Sequence, residues 1–176
     1  AAAFGGLNLF EFMPDDSVNV SPVICSNEFR NTLNLSTLVF YTGLTRSASG
    51  ILAEQTKVSS QENKKLTLRR MARLAYDFKT GIENNSLEHL SELLKENWLL
   101  KKTLTDGITN STIDEIYSTG IEAGAYAGKL LGAGAGGFMM FLAPENKHIQ
   151  IINSLHKLRP VKFNIESNGS TVIYNE

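Results

Sequence analysis

Cysteine is nearly absent from these 176 residues: Cys25 stands alone. A single thiol excludes an internal disulfide framework and any metal centre built from several cysteines, and suits a reducing compartment such as the cytoplasm. Excess charge of one sign is missing too. Seventeen basic residues against eighteen acidic ones leave a formal net charge of −1, which gives no electrostatic basis for a nucleic acid or membrane partner. No apolar run approaches the roughly 20 residues that a membrane span requires. His89, His148 and His156 are scattered and lack partners at metal-ligand spacing, so no metal site is expected. The chain opens Ala-Ala-Ala-Phe-Gly-Gly, with neither a methionine nor a basic stretch ahead of an apolar one. It reads as the later part of a longer protein.

What is present is an ordinary globular composition, 42% hydrophobic and 20% charged, with a readable element order. Gly6 to Phe12 and Val18 to Val23 are two strand candidates around the turn residues Pro14 to Ser17. Leu35 to Tyr41 is a compact apolar run, expected as a buried strand. Ser47 to Lys57 reads as a helix. Met71, Leu74, Ala75, Phe78 and Ile82 recur at three- and four-residue spacing, as do Leu87, Leu90, Leu94 and Trp98, which predicts two one-sided helices. A further helix is expected from Ser111 to Ala123, a strand from Phe138 to Leu142, and a helix from Pro144 to Leu158. Val161 to Glu166 and Thr171 to Tyr174 suggest a final hairpin around Asn168-Gly169. The order implies an α+β fold, an antiparallel sheet with packed helices.

One stretch departs from the ordinary. Gly132-Ala133-Gly134-Ala135-Gly136-Gly137 carries no side chain larger than methyl. It contains Gly-x-Gly-x-x-Gly, yet an apolar strand follows where a dinucleotide site needs a helix, and no Lys-Ser or Lys-Thr follows as in a phosphate loop. A strand–loop–strand turn remains. Its exposed backbone N–H groups can cradle an anion, or its smallness can simply let a helix pack close. If the loop serves an anion, Gly134→Val in the full-length protein is expected to lower activity severely while the domain still folds. Lys129, just ahead of the loop, reads as a side chain pointing to water. Arg69, Arg70 and Arg73 read as a solvated helix face, and Trp98 as core.

Gly124 to Phe138, GAYAGKLLGAGAGGF, resembles the third, C-terminal motif of the GHMP kinases. Phe40 to Ser49, FYTGLTRSAS, is similar to the substrate-side segment of the sugar-kinase branch, and Ala1 to Asn8 to its mid-chain segment. Within that branch the resemblance is to the D-glycero-D-manno-heptose-7-phosphate kinases, with fucokinase-like enzymes near them. It implies a ferredoxin-like C-terminal domain over residues 25–176, preceded by the end of an N-terminal kinase domain over residues 1–24. It also implies ATP and Mg²⁺ as cofactors, a sugar phosphate as substrate, and the absent N-terminal half of the same protein as partner. The catalytic residue is then expected upstream of Ala1, and the isolated fragment is expected to be inactive. Gly132, Ala133, Gly134, Ala135, Gly136 and Gly137 would bind nucleotide phosphate. Arg46, Thr42, Ser47, Gly5 and Gly6 would line the substrate side, with Arg46 suited to bidentate phosphate binding. A kinase for another sugar such as fucose or galactose, or a non-catalytic α+β ligand-binding module, are the competing readings.

Overall fold

A computed structural model describes residues 2–45 and 61–174, together with residues 50, 53, 56 and 57 between them. Strands β1 (Asn8–Phe12) and β2 (Val18–Pro22) form an antiparallel hairpin, close to the expected bounds. Helix α1 (Asn27–Ser36) follows, its first turn capped by the Ser26 hydroxyl accepting from the Phe29 N–H. Phe29 and Leu33, four residues apart, bury one face of it. Strand β3 (Thr37–Tyr41) begins where α1 ends. The apolar run expected as one strand is therefore split, with Leu35 and Ser36 completing a helix that the sequence reading did not include. Of the helix expected from Ser47 to Lys57, the described residues Gly50, Ala53, Thr56 and Lys57 are helical, and the others lie outside the described residues.

Helices α2 (Glu62–Glu83) and α3 (Leu87–Lys102) pack side by side, and α3 is opened by a Ser86 cap. Asn110 caps α4 (Ser111–Glu122). Strands β4 (Ala127–Leu130) and β5 (Phe138–Leu142) flank the glycine stretch. The helix expected from Pro144 resolves into a short 3₁₀ turn, Glu145–Lys147, and helix α5 (His148–Ser154). Strand β6 (Arg159–Val161) closes the element order.

The expected terminal hairpin does not form. Strand β6 pairs antiparallel with β3 instead, giving a four-stranded antiparallel sheet of order β4-β5-β3-β6. The segment beyond it runs back along the first residues. The Gly6 N–H donates to the Glu166 carbonyl, the Ser170 N–H to the Ala3 carbonyl, and the Ile165 N–H to Asn34 Oδ1. Those bonds satisfy backbone groups that a hairpin would have paired with each other.

The sheet has two different faces. Phe40, Leu130, Met139 and Phe141 point to one face and are fully buried with Trp98, Ile108, Ile113 and Ile151. Each such side chain contributes roughly 1.5–3 kcal/mol through burial. Gly120 and Gly128 clamp the Phe141 ring, since a Cβ on either would lie under 3.0 Å from it. The other face carries Ala127, Met140 and Leu142 against Phe78, Leu87 and Leu94 of α2 and α3. Phe138 and Tyr41 continue that second face toward the glycine loop.

Candidate functional site

The loop between β4 and β5 leads from strand to strand, as expected. Its backbone takes the left-handed region at Gly132 (φ 81°), Gly134 (φ 129°), Ala135 (φ 61°) and Gly137 (φ 98°). Side chains larger than hydrogen rarely adopt these angles, so three of the four glycines are accounted for by conformation.

The loop is held at three points. The Ala135 N–H donates to the Ile108 carbonyl at 2.8 Å and the Gly137 N–H to the Leu44 carbonyl at 2.8 Å. The Gly137 carbonyl accepts from both the Thr42 N–H (2.9 Å) and the Thr42 hydroxyl (3.0 Å). Thr42 is thus a buried strut of the loop. Lys101, near the end of α3, donates from its ammonium to the Gly132 carbonyl.

The glycines divide by what surrounds them. A Cβ at Gly136 would sit 2.4 Å from the Leu44 carbonyl oxygen, and one at Gly134 would sit 3.0 Å from Ile108 Cα. These two are required by packing whatever the loop binds. The expectation that Gly134→Val spares the fold is therefore corrected: the contact and the φ of 129° both strain it. Gly132 and Gly137 face open space, with no atom within 4 Å of a built Cβ. Positions with left-handed backbone and free approach are those where an anion can meet the main chain.

Two lysines adjoin the loop. Lys129 does not point freely to water: its ammonium lies 2.6 Å from Asn97 Oδ1, one helical turn from Lys101 on the same side of α3. Burial, reinforced by the nearby Lys101 charge, lowers the Lys129 pKa to about 8. Burial lowers Lys101 as well. Neither is paired with a carboxylate among the described residues. Desolvated charge without a counter-ion is costly, and such a pair beside the exposed Gly132 suits an oxyanion. Asn97 and Lys129 also line a cleft of about 380 Å³ between the β1–β2 hairpin, α2 and α3. The sequence signal for this part was the Asn97–Lys101 spacing of four, which a helix places on one side.

The remaining expected residues are more dispersed. Gly5 and Gly6 take φ of 63° and 66°, but they face the terminal segment, where a Cβ at Gly5 would lie 2.4 Å from the Asn168 carbonyl carbon. Among the described residues no hydrogen bond joins them to the glycine loop. Arg46 and Ser47 lie outside the described residues. Thr42 also borders a second cleft of about 450 Å³, whose polar lining includes Thr112, Thr119, Glu115 and His156. Arg70, expected on a solvated face, is exposed and forms a forked pair with Glu96 at 2.6 and 2.8 Å. Among the described residues no group of three or more His, Cys, Asp or Glu is placed to hold a metal, and no helix is long and apolar enough to cross a membrane.

Residues 78–159, which include the small-residue turn and the two antiparallel strands that flank it, match the family model described as GHMP kinases C terminal. Those residues carry the C-terminal domain match of the GHMP kinases. The chain is 31% identical over 157 residues to the D-glycero-alpha-D-manno-heptose 7-phosphate kinase of Campylobacter jejuni, covering 89% of this chain and 46% of that protein. A crystal structure described as a sugar kinase from Campylobacter jejuni superposes with a TM-score of 0.71 at 29% identity, covering 96% of this chain and 48% of the other. A D-glycero-D-manno-heptose 1-phosphate kinase from Bacteroides thetaiotaomicron shares the fold, with a TM-score of 0.71 at 22% identity over 99% of this chain and 48% of that one. The chain therefore spans about half the length of these relatives.

Proposed function

We propose that this chain is the C-terminal half of an ATP-dependent sugar kinase of the cytoplasm, acting on D-glycero-D-manno-heptose 7-phosphate at the anomeric hydroxyl. The observation that carries the reading is the loop from Gly132 to Gly137. Its open, left-handed positions and the carboxylate-free Lys101 and Lys129 beside them fit a phosphate chain. The identity to the Campylobacter heptose 7-phosphate kinase supports the substrate class.

ATP, when bound, would supply the phosphoryl group, and Mg²⁺ would offset the negative charge of its oxygens. The residues of this chain contribute position and charge, which is most of what phosphoryl transfer demands. The main-chain N–H at Gly132 would face a phosphate oxygen, and Lys101 would hold the loop in shape while its charge, with that of Lys129, offsets the negative charge that develops. Thr42 would fix the β5 end of the loop. The sugar oxygen would attack phosphorus, ADP would leave, and the hydroxyl proton would pass to a base supplied by the N-terminal half. Residues 1–24 would belong with that half, and Arg46 and Ser47, just beyond Thr42, would lie on the substrate side.

The test is a panel of free sugars and sugar phosphates offered to the full-length protein with ATP and Mg²⁺, read by ADP release and by the position of the new phosphate. Turnover of heptose 7-phosphate to the 1,7-bisphosphate is expected. Turnover of a free hexose such as fucose or galactose, with none of the heptose phosphate, would replace this substrate with another. Absence of ADP release with every acceptor would favour a non-catalytic module.

A further inference from the structure

Three strands meet in register at the loop end of the sheet. Tyr41 on β3 stands opposite Phe138 on β5 and opposite Arg159 on β6. Cross-strand partners share a face, so Phe138, Tyr41 and Arg159 form one row on the sheet's second face. The two rings lie 5.4 Å apart, tilted at 51°. Lys162, just past β6, joins them around a recess of about 460 Å³.

This row is not explained by packing. Phe138 is 41% exposed, although its strand neighbour Met139 is fully buried. Arg159 and Lys162 are both exposed and have no ion pair among the described residues. The row is also tied to the loop by the chain itself. Phe138 follows Gly137, and Tyr41 precedes Thr42, whose N–H and hydroxyl both bond Gly137. A ligand on this shelf would therefore lie beside the glycine loop.

We infer that Tyr41, Phe138, Arg159 and Lys162 form a binding shelf for a ring carrying a phosphate, with the ring over the aromatics and the phosphate against the two cations. Aromatic side chains offer a flat apolar surface to a sugar or base ring, and guanidinium offers two parallel donors to a phosphate. The inference rests on the kinase reading for its preferred occupant, the phosphorylated end of the sugar acceptor. A nucleotide offers the same chemistry, so the two sources are separated by experiment.

Calorimetric titration of the full-length protein with heptose 7-phosphate, the unphosphorylated heptose and AMP tests it, alongside steady-state kinetics with ATP. Arg159→Ala is expected to raise the Kd for heptose 7-phosphate at least tenfold, to leave the unphosphorylated heptose unchanged, and to raise KM with kcat within twofold. Tyr41→Ala is expected to weaken both sugars, and Arg159→Lys to recover part of the loss. If Arg159→Ala weakens AMP and not the sugar phosphate, the occupant is the nucleotide and the sugar assignment fails. If Arg159→Ala and Tyr41→Ala leave every Kd within twofold, or if the wild-type protein binds none of the probes, the shelf is overturned. Shelf-dependent binding without ATP-dependent turnover would sink the kinase reading alone. Turnover with unaltered KM in both variants would sink the shelf alone.

Discussion

At the scale of single residues, Lys129 sets stability against function. Its pKa stands near 8 against an ordinary 10.5 because burial, with Lys101 nearby, disfavours the charged form. Below about 8 both folded and unfolded chains carry the proton, and the folded one bears the full cost of burying it. Between about 8 and 10.5 the unfolded chain binds more protons, so this group makes stability rise with pH. Lys129→Met should therefore stabilise the protein at pH 7, by about 1 kcal/mol once solvent screening and the lost Asn97 bond are allowed for. Thermal melts should show that gain shrinking as pH rises from 8 toward 10.5. The same variant should lose at least tenfold in kcat if the ammonium serves phosphate. Greater stability with less activity is the signature of a residue kept for function. A variant that is less stable and fully active would make Lys129 a structural residue.

At the scale of elements, the glycine loop separates two demands that its sequence merges. Gly136→Ala would drive a methyl into the Leu44 carbonyl, which also accepts from Gly137. A cost of about 2–4 kcal/mol is expected, seen as a lower melting temperature. Gly132→Ala meets no neighbour and is strained only by its φ of 81°, at about 1–2 kcal/mol. It should nevertheless lose more activity per unit of stability than Gly136→Ala, because its methyl enters the space left for phosphate. Equal ratios for the two variants would reduce the loop to packing. Glycine count alone could not have drawn this line, since it depends on Ile108 and Leu44, far away in sequence. Other elements divide the same way. Long one-sided patterns, as in Met71 to Ile82 and Leu87 to Trp98, were legible because a helix repeats its apolar positions over several turns. Leu35 to Tyr41 was not, because a short apolar run looks alike at a helix end and in a strand, and the Ser26 cap deciding it lies nine residues earlier. The terminal segment misled for a similar reason. Its extended pattern is real, but its partners are Asn34 and residues 3–6, which no local signal names. In the candidate site the strand-to-strand setting of the loop was readable, whereas the bonds of Thr42 to Gly137, Lys101, Asn97 and the Tyr41–Phe138–Arg159 row depend on register and helix placement.

At the scale of the whole molecule, exposed apolar side chains concentrate in the β1–β2 hairpin and the terminal segment. Phe12 is 80% exposed, Val172 81% and Ile173 97%. Phe4, also exposed, stacks edge-on against Phe10 with ring centroids 5.5 Å apart. These two regions are joined through the Gly6–Glu166 and Ala3–Ser170 bonds. Isolated apolar residues on a surface need no explanation, but large ones gathered on connected segments mark an interaction site. Under the kinase reading their cover is the N-terminal half, with the hairpin continuing its sheet. Residues 1–176 produced alone should then bind the dye ANS strongly and show no kinase activity. The N-terminal half, added as a separate polypeptide, should quench that dye signal, raise the melting temperature and restore turnover at the shared site. Phe12→Asp should weaken this reassembly while leaving the melting temperature of the lone fragment nearly unchanged, since so exposed a ring contributes little to its own fold. A lone fragment that binds no ANS, or that phosphorylates sugar unaided, would contradict both the exposed interface and the division of catalytic labour between the halves.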